Sequence, residues 1–97
     1  MFKIDVPDVI GSANVICYAV VNLCLPTYNT QHYANGELLG VAYGLVICKY
    51  ENDDGCYLFY CDDQWVEFAD TWHETTDDAK DQAEYEYAGI TNNWSFK

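Results

Sequence analysis

Two apolar runs on either side of one turn signal constrain the fold more than any other part of the chain. Residues 44–63, GLVICKYENDDGCYLFYCDD, place β-branched and aromatic residues on both sides of Asp54-Gly55. An Asp-Gly pair in this setting predicts a β-hairpin, because both residues tolerate positive φ. With these two as the turn residues, Cys48 lies opposite Cys61, and a longer turn shifts the pairing without changing the faces. The expected core side then carries Val46, Cys48, Tyr50, Tyr57, Phe59 and Cys61.

Four further segments predict strands or a turn around this hairpin. The apolar, β-branched run 14–21, NVICYAVV, predicts a central strand, and Asn35-Gly36 predicts a second two-residue hairpin turn. The alternating run 65–72, WVEFADTW, predicts another strand. Residues 92–96, NNWSF, predict a short final strand that carries Trp94.

A single principal helix is predicted over residues 75–88. Thr75 is a good N-cap, and Asp78 follows it at the capping-box spacing. Gly89 is a suitable stop just beyond the last helical residue. One stripe of this helix, formed by Ala79, Ala83 and Tyr87 with Glu86 nearby, is expected to pack on the sheet.

The opposite side of the predicted helix carries an acidic ridge, which we define as Asp77, Asp81 and Glu84. Their spacing of four and then three residues places them on one side of a helix. Such a ridge has three possible meanings: a solvated face, a cation site, or a surface for a positively charged partner. Acidic runs on helices are most often solvated faces, and excess carboxylate aids solubility.

Together these elements predict a small α+β fold, in which an antiparallel β-meander sheet packs against one principal C-terminal helix. A chain of 97 residues has room for one core, so residues 1–97 are expected to form a single domain. No apolar run is long enough to span a membrane, and the N-terminus lacks signal-peptide features, so a cytoplasmic location is expected. The five cysteines, without a C-x-x-C pair, are expected to be reduced and to act as small hydrophobes.

The negative charge lies mostly in the second half of the chain. The net charge is −12, from 16 acidic residues and four basic ones. Residues 1–50 hold three acids and two lysines, a net of −1; residues 51–97 hold thirteen acids and two lysines, a net of −11. Because nucleic acid and anionic membranes bind Lys and Arg, neither is expected as a direct partner. A basic protein is favoured instead, since the field accelerates its approach.

The motifs of common enzyme and metal sites are missing. There is no phosphate-binding glycine loop, nucleophile elbow or H-E-x-x-H pair, and arginine is absent. The acid-rich segment 51–55 lacks the alternating ligands of a calcium loop. Cys61 and His73 are the remaining candidates for a catalytic or zinc-binding pair, although His73 is better explained as a strand-end histidine bound to structure. We expect no enzyme activity, no cofactor and no metal.

Residues 57–94 resemble small bacterial immunity proteins. The shared pattern is an aromatic strand ending in Tyr-Cys-Asp, then Trp65, the run DTWH (70–73), the run AKDQAE (79–84) and a closing Trp94. The start of the chain, residues 4–16, shares the pattern more loosely. Such proteins are encoded beside secreted toxins, including those of contact-dependent growth inhibition. The resemblance implies a cytoplasmic protein that binds and neutralises one cognate toxin, often a nuclease.

The leading hypothesis is therefore an inhibitor that occludes the basic active site of a toxin nuclease by shape and charge. We expect a monomer or weak dimer. The alternative is a phage-encoded acidic mimic of nucleic acid that inhibits a CRISPR or restriction complex. Aromatic side chains anchor interfaces, so the predicted partner-binding residues combine acids and aromatics. They are Asp77, Asp81 and Glu84, with Asp62, Asp63, Glu67 and Asp70 as further acids and Trp72 and Tyr85 as aromatic anchors.

Overall fold

The structure, a computed structural model, describes residues 5–21, 25–26, 33–34, 37–38 and 40–97. The strands are β1 (Val9–Ile10), β2 (Ala13–Val20), β3 (Leu25–Pro26), β4 (Tyr33–Ala34), β5 (Glu37–Leu38), β6 (Gly44–Lys49), β7 (Cys56–Cys61), β8 (Glu67–His73), β9 (Tyr87–Ala88) and β10 (Ser95–Phe96). The helix α1 spans Thr76–Glu86, and a 3₁₀ turn spans Ile90–Asn93.

The main sheet is antiparallel, with strand order β1-β2-β6-β7-β8, and β10 also pairs with β2. The predicted α+β class, with one helix near the C-terminus, is confirmed. The central position of residues 14–21 is confirmed as well, because β2 has β6 on one side and β1 and β10 on the other. β4 pairs with β5 around Asn35-Gly36, as the turn signal predicts, although these two residues lie outside the described ranges.

The turn between β6 and β7 is longer than predicted. Cys48 lies opposite Tyr57 rather than Cys61, and residues 50–55 connect the strands. Asp53 organises the connection, because its N–H donates to the carbonyl of Tyr50 (3.1 Å) and its Oδ1 accepts from the N–H of Gly55 (3.0 Å). The register moves by four residues, an even number, so the predicted sharing of faces holds.

Both faces of the sheet are buried, whereas the sequence predicted one core side. The helix face packs against α1 and includes Leu45, Ile47, Leu58 and Tyr60, all fully buried. The far face, on the other side, carries the predicted set: Val46, Cys48, Phe59 and Cys61 are at most 1% exposed, with Tyr50 and Tyr57 packed at their edge. A strand that is buried on both faces has a continuous apolar sequence. The alternation of side chains along such a strand therefore does not indicate which face packs against the helix.

α1 begins as predicted and ends earlier. The Thr75 hydroxyl accepts from the N–H of Asp78 (3.1 Å), and Ala79 and Ala83 are fully buried against the sheet. Tyr87 leaves the helix in an extended conformation, because its backbone pairs with β3 and its hydroxyl accepts from the N–H of Ala42 (3.0 Å). Gly89, at φ 96°, therefore starts the 3₁₀ turn instead of ending the α-helix.

β8 begins two residues later than the predicted run 65–72. A turn precedes it, in which the N–H of Asp62 donates to the carbonyl of Val66 and the N–H of Trp65 donates to the carbonyl of Asp62, both at 3.0 Å. Trp65 has a left-handed φ of 61°, uncommon for a bulky residue, and its ring closes one end of the far face. The predicted final strand is also shorter, Ser95–Phe96, with Trp94 just before it.

Four of the five cysteines lie in the described ranges, and all four are buried free thiols. Burial raises the pKa of Cys17 to about 11 and that of Cys61 to about 12. Because the thiolate is the reactive form, these side chains act as small apolar groups, as predicted. Within the described residues, no helix has the length and apolar character needed to cross a membrane.

Candidate partner-binding surface

Three of the predicted binding residues meet on the far face along β8. Glu67, Asp70 and Trp72 pair with Cys61, Phe59 and Tyr57, which all belong to that face. Simple alternation would place residues three apart on opposite faces.

A β-bulge resolves this conflict. The register shifts between Tyr60 and Cys61, because Tyr60 lies opposite Ala69 and Cys61 lies opposite Glu67. Phe68 is the extra residue, and it packs with Ala69 against the helix-face core. The bulge therefore turns Glu67 and Asp70 to the same side, which their spacing in the sequence could not indicate.

Glu67 and Asp70 form a carboxyl pair at the edge of the far face. Burial raises the pKa of Glu67 to about 7, and the hydrogen bond to Asp70 and the negative charge of Asp70 act in the same direction. Two close carboxylates disfavour double ionisation, so the pair holds a proton that isolated carboxylates would have released.

We expect Glu67→Gln to stabilise the protein above neutral pH. A folded-state pKa near 7, against 4.5 for the free group, means that the folded chain retains a proton that the unfolded chain loses. Stability therefore falls as pH rises from 4.5 to 7. Asp70 is exposed, so solvent screens part of the interaction that raises the pKa of Glu67. We therefore expect the free energy of unfolding of the variant to exceed that of the parent by about 1–2 kcal/mol at about pH 8. Urea unfolding of both proteins across this pH range measures the difference.

The matched control is Glu51→Gln, which removes an exposed carboxylate. Its difference from the parent is expected to stay within about 0.5 kcal/mol across the same range. If the stability difference between Glu67→Gln and the parent were as independent of pH as that of the control, the pair would not hold a proton in the folded state.

Trp72 is held outward at the other end of β8. A Cβ on Gly55 would lie 2.5 Å from the indole Cε2 and 2.5 Å from the carbonyl oxygen of His73, so only glycine lets the ring lie this close to β7. The indole is nevertheless 48% exposed. A large aromatic ring fixed on one side and open on the other is typical of an interface anchor.

The open side of Trp72 lines a pocket of about 780 Å³. Ser12, Tyr50 and the loop 51–54 complete its wall. Sequence reasoning missed this site, since it weighed residues 51–55 only as a hairpin turn and as a calcium loop. The acids that follow Tyr50 in the sequence indicate a negatively charged loop. That this loop lies beside Trp72 follows only from the observed register of β7 and β8.

The acidic ridge on α1 is divided between exposed and internally bonded acids. Asp77 and Asp81 are exposed, and Tyr85, 54% exposed, follows them at the same four-residue spacing. Glu84 is engaged locally: its Oε2 accepts from the N–H of Gly89 (2.7 Å), and its Oε1 accepts from the N–H and hydroxyl of Thr91 (3.1 and 2.6 Å). These hydrogen bonds lower the pKa of Glu84 and give it a role in closing the C-terminal end of α1.

Asp62 and Asp63 lie in the turn before β8. Asp62 Oδ1 accepts from the N–H groups of Gln64 and Val66, both at 2.9 Å, so this oxygen shapes the turn. Asp63 is exposed. The nine predicted residues are thus divided among the far face, this turn and the solvent side of α1, with the sheet between the first and the last.

Two of the described lysines are engaged away from these acids. Lys97 pairs with Asp8 (3.2 Å), and the Lys80 ammonium lies 4.9 Å from the centre of the Phe96 ring. Among the described residues, no lysine forms an ion pair with any of the nine predicted binding residues.

The structure separates the candidate catalytic or zinc-binding pair. Cys61 belongs to the far face, whereas His73 lies opposite Cys56, on the helix face and at the other end of β8. His73 Nε2 lies 2.7 Å from the Thr71 hydroxyl, and burial lowers the pKa of the imidazole. Among the described residues, no three side chains of the metal-binding types form a group.

Comparison with protein-family models, with curated proteins and with solved structures finds no match. The features of the chain that bear on function are therefore its fold, its exposed aromatic side chains and its exposed acids.

Proposed function

We propose that this chain is a cytoplasmic immunity protein that binds a cognate basic toxin domain, a nuclease, and occludes its active site. The observation that carries the proposal is the exposed Trp72 ring, held by Gly55 beside the carboxylates of the loop 51–54. An anchor of this kind is costly to leave in water and useful in an interface.

The charge of the chain supports the choice of partner. A nuclease must hold phosphates, and it does so with Lys and Arg in its cleft. A chain with a net charge of −12 complements such a cleft, with exposed Asp70 on the same face as Trp72. Exposed Asp77 and Asp81, on the other side of the sheet, add to the long-range field. Complementary fields speed association and disfavour other acidic partners.

The proposal requires binding without chemistry by this chain. The described thiols are buried with raised pKa values, and Cys61 and His73 lie on opposite faces. Inhibition by occlusion instead requires a stable fold and a complementary surface, which need not share a motif with other inhibitors.

A rescue experiment tests the function directly. The C-terminal domain encoded by the reading frame immediately upstream is expressed alone and then together with this chain, and growth and nucleic-acid integrity are scored. We expect killing that this chain reverses, and the degraded molecule identifies the toxin's substrate. Toxicity that persists, or an upstream domain that is harmless, would contradict the proposal and favour the mimic of nucleic acid.

The association rate of the purified pair is expected to fall steeply with salt. Between about 0.01 and 0.1 M ionic strength the Debye length shortens from about 30 Å to about 10 Å, which screens steering by exposed charges. Stopped-flow mixing measures the rate. Asp77→Asn/Asp81→Asn is expected to flatten its dependence on salt; an unchanged rate at low salt in this variant would mean that the α1 acids take no part in steering the partner.

A further inference from the structure

We infer that the pocket between Trp72 and the β6–β7 connection receives an arginine side chain of the partner. This inference rests on the proposed function for the identity of the partner. The pocket itself follows from the described residues alone.

The first support is the shape of the site. The pocket of about 780 Å³ is open to solvent and lies between the ends of two strands and the turn at Ser12. It is a shallow depression rather than an enclosed cavity, so a bound side chain would lie along its wall and stay partly in water. It is large enough for a long side chain together with part of the backbone that carries it.

The second support is aromatic. Trp72 and Tyr50 both line the pocket, and Tyr50 is held by an edge-to-face contact with Tyr57, with ring centres 5.4 Å apart. Gly55 fixes the Trp72 ring from the other side. Two positioned aromatic rings bind a cation through their negative faces, and tryptophan does so best.

The third support is charge complementarity. Glu51 and Asp54 are exposed acids of the pocket wall, and Asp53 is half-buried. Asp53 holds the loop in shape, because its Oδ1 accepts from the N–H of Gly55 and its N–H donates to the carbonyl of Tyr50. The Asp53 carboxylate and the loop backbone are therefore arranged before a ligand arrives, which reduces the entropy lost on binding.

Arginine fits these features better than other cations. A planar guanidinium stacks on an aromatic ring and donates two parallel hydrogen bonds to a carboxylate, whereas an ammonium is a compact and strongly hydrated charge. A nucleic-acid base would also stack, but its phosphates would be repelled by the acids of the loop.

The inference is tested first without the partner, by titrating N-acetyl-arginine amide into ¹⁵N-labelled protein at low salt. We expect the Trp72 indole N–H resonance to move in a saturable way, while those of Trp65 and Trp94 stay in place. N-acetyl-lysine amide is expected to bind about threefold to tenfold more weakly. Equal binding of the two amides, or a resonance of Trp72 that does not move, would overturn the assignment to arginine.

Matched variants then distinguish binding in the pocket from attraction by the net negative charge of the protein. Glu51→Gln/Asp54→Asn is expected to weaken arginine-amide binding about threefold to tenfold. Asp77→Asn/Asp81→Asn removes the same charge from α1 and is expected to leave that binding unchanged. Equal weakening by both variants would mean that net charge, rather than the pocket, binds the probe.

The last experiment measures binding of the toxin itself. Trp72→Ala is expected to weaken toxin binding by about thirtyfold or more, and Trp72→Phe by less, because it keeps an aromatic ring. Circular dichroism verifies that each variant is folded. A folded Trp72→Ala variant that binds the toxin normally would refute this inference and leave the immunity function standing. Arginine binding without any rescue from the upstream toxin would refute the immunity function and leave the pocket standing.

Discussion

Tyr60→Phe is expected to lower the free energy of unfolding by about 2–3 kcal/mol at neutral pH. The Tyr60 hydroxyl donates to Glu86 Oε2 in the interior between β7 and α1. Glu86 is 5% exposed, and the Gln82 side-chain amide donates to the same oxygen (3.2 Å). Removing the hydroxyl leaves a buried carboxylate short of a donor, which costs more than the loss of an ordinary hydrogen bond.

Urea unfolding followed by far-ultraviolet circular dichroism measures this loss. The matched control is Tyr57→Phe, which removes the same hydroxyl from the far face and is expected to cost no more than about 0.5 kcal/mol. Adding Glu86→Gln to Tyr60→Phe is expected to recover part of the stability, because an amide is less costly to bury than a carboxylate. Equal effects of the two tyrosine variants would show that the buried acid is compensated in another way.

Gly55→Ala is expected to cost about 3 kcal/mol of stability and to displace Trp72. The added Cβ would lie 2.5 Å from the carbonyl oxygen of His73, a backbone atom, so β7 and β8 would have to separate locally. The displaced indole is also expected to weaken arginine-amide binding, since the ring would lose its fixed position.

Gly40→Ala is the matched control, because an added Cβ there meets no atom of the described residues within 4 Å. It is expected to be neutral or to stabilise by up to about 1 kcal/mol through the unfolded chain. Urea unfolding and the arginine-amide titration check both variants. A Gly55→Ala protein as stable as the parent would mean that the hairpin relaxes without disturbing Trp72.

Local chemistry made parts of the fold predictable. Thr75 caps α1 because a hydroxyl at that position reaches the N–H of Asp78, and the stripe of Ala79 and Ala83 fits closely against a sheet. The faces of the hairpin followed from the period of two along a strand. The exact register between β6 and β7 was not predictable, because Asp53 forms a longer turn than Asp54-Gly55 alone would give.

Features that depend on distant contacts were not predictable. Tyr87 leaves α1 to meet Ala42, 45 residues away in sequence. The bulge at Phe68 brings Glu67 and Asp70 together, and the pocket requires Trp72 beside a loop twenty residues earlier. Sequence reasoning named Trp72, Glu67 and Asp70 by charge and residue type; their assignment to a partner stays a prediction.

The bulge also protects the border of the sheet. β8 is the last strand of the sheet in the part of the chain that the structure describes. One side of it therefore presents main-chain N–H and C=O groups that could hydrogen-bond to a strand of another molecule. An extra residue at Phe68 breaks the even spacing of those groups, and Glu67 and Asp70 would face like charges on a second copy. The same few residues that shape the acidic side of β8 thereby discourage strand-to-strand aggregation, which a protein displaying an open aromatic ring must avoid.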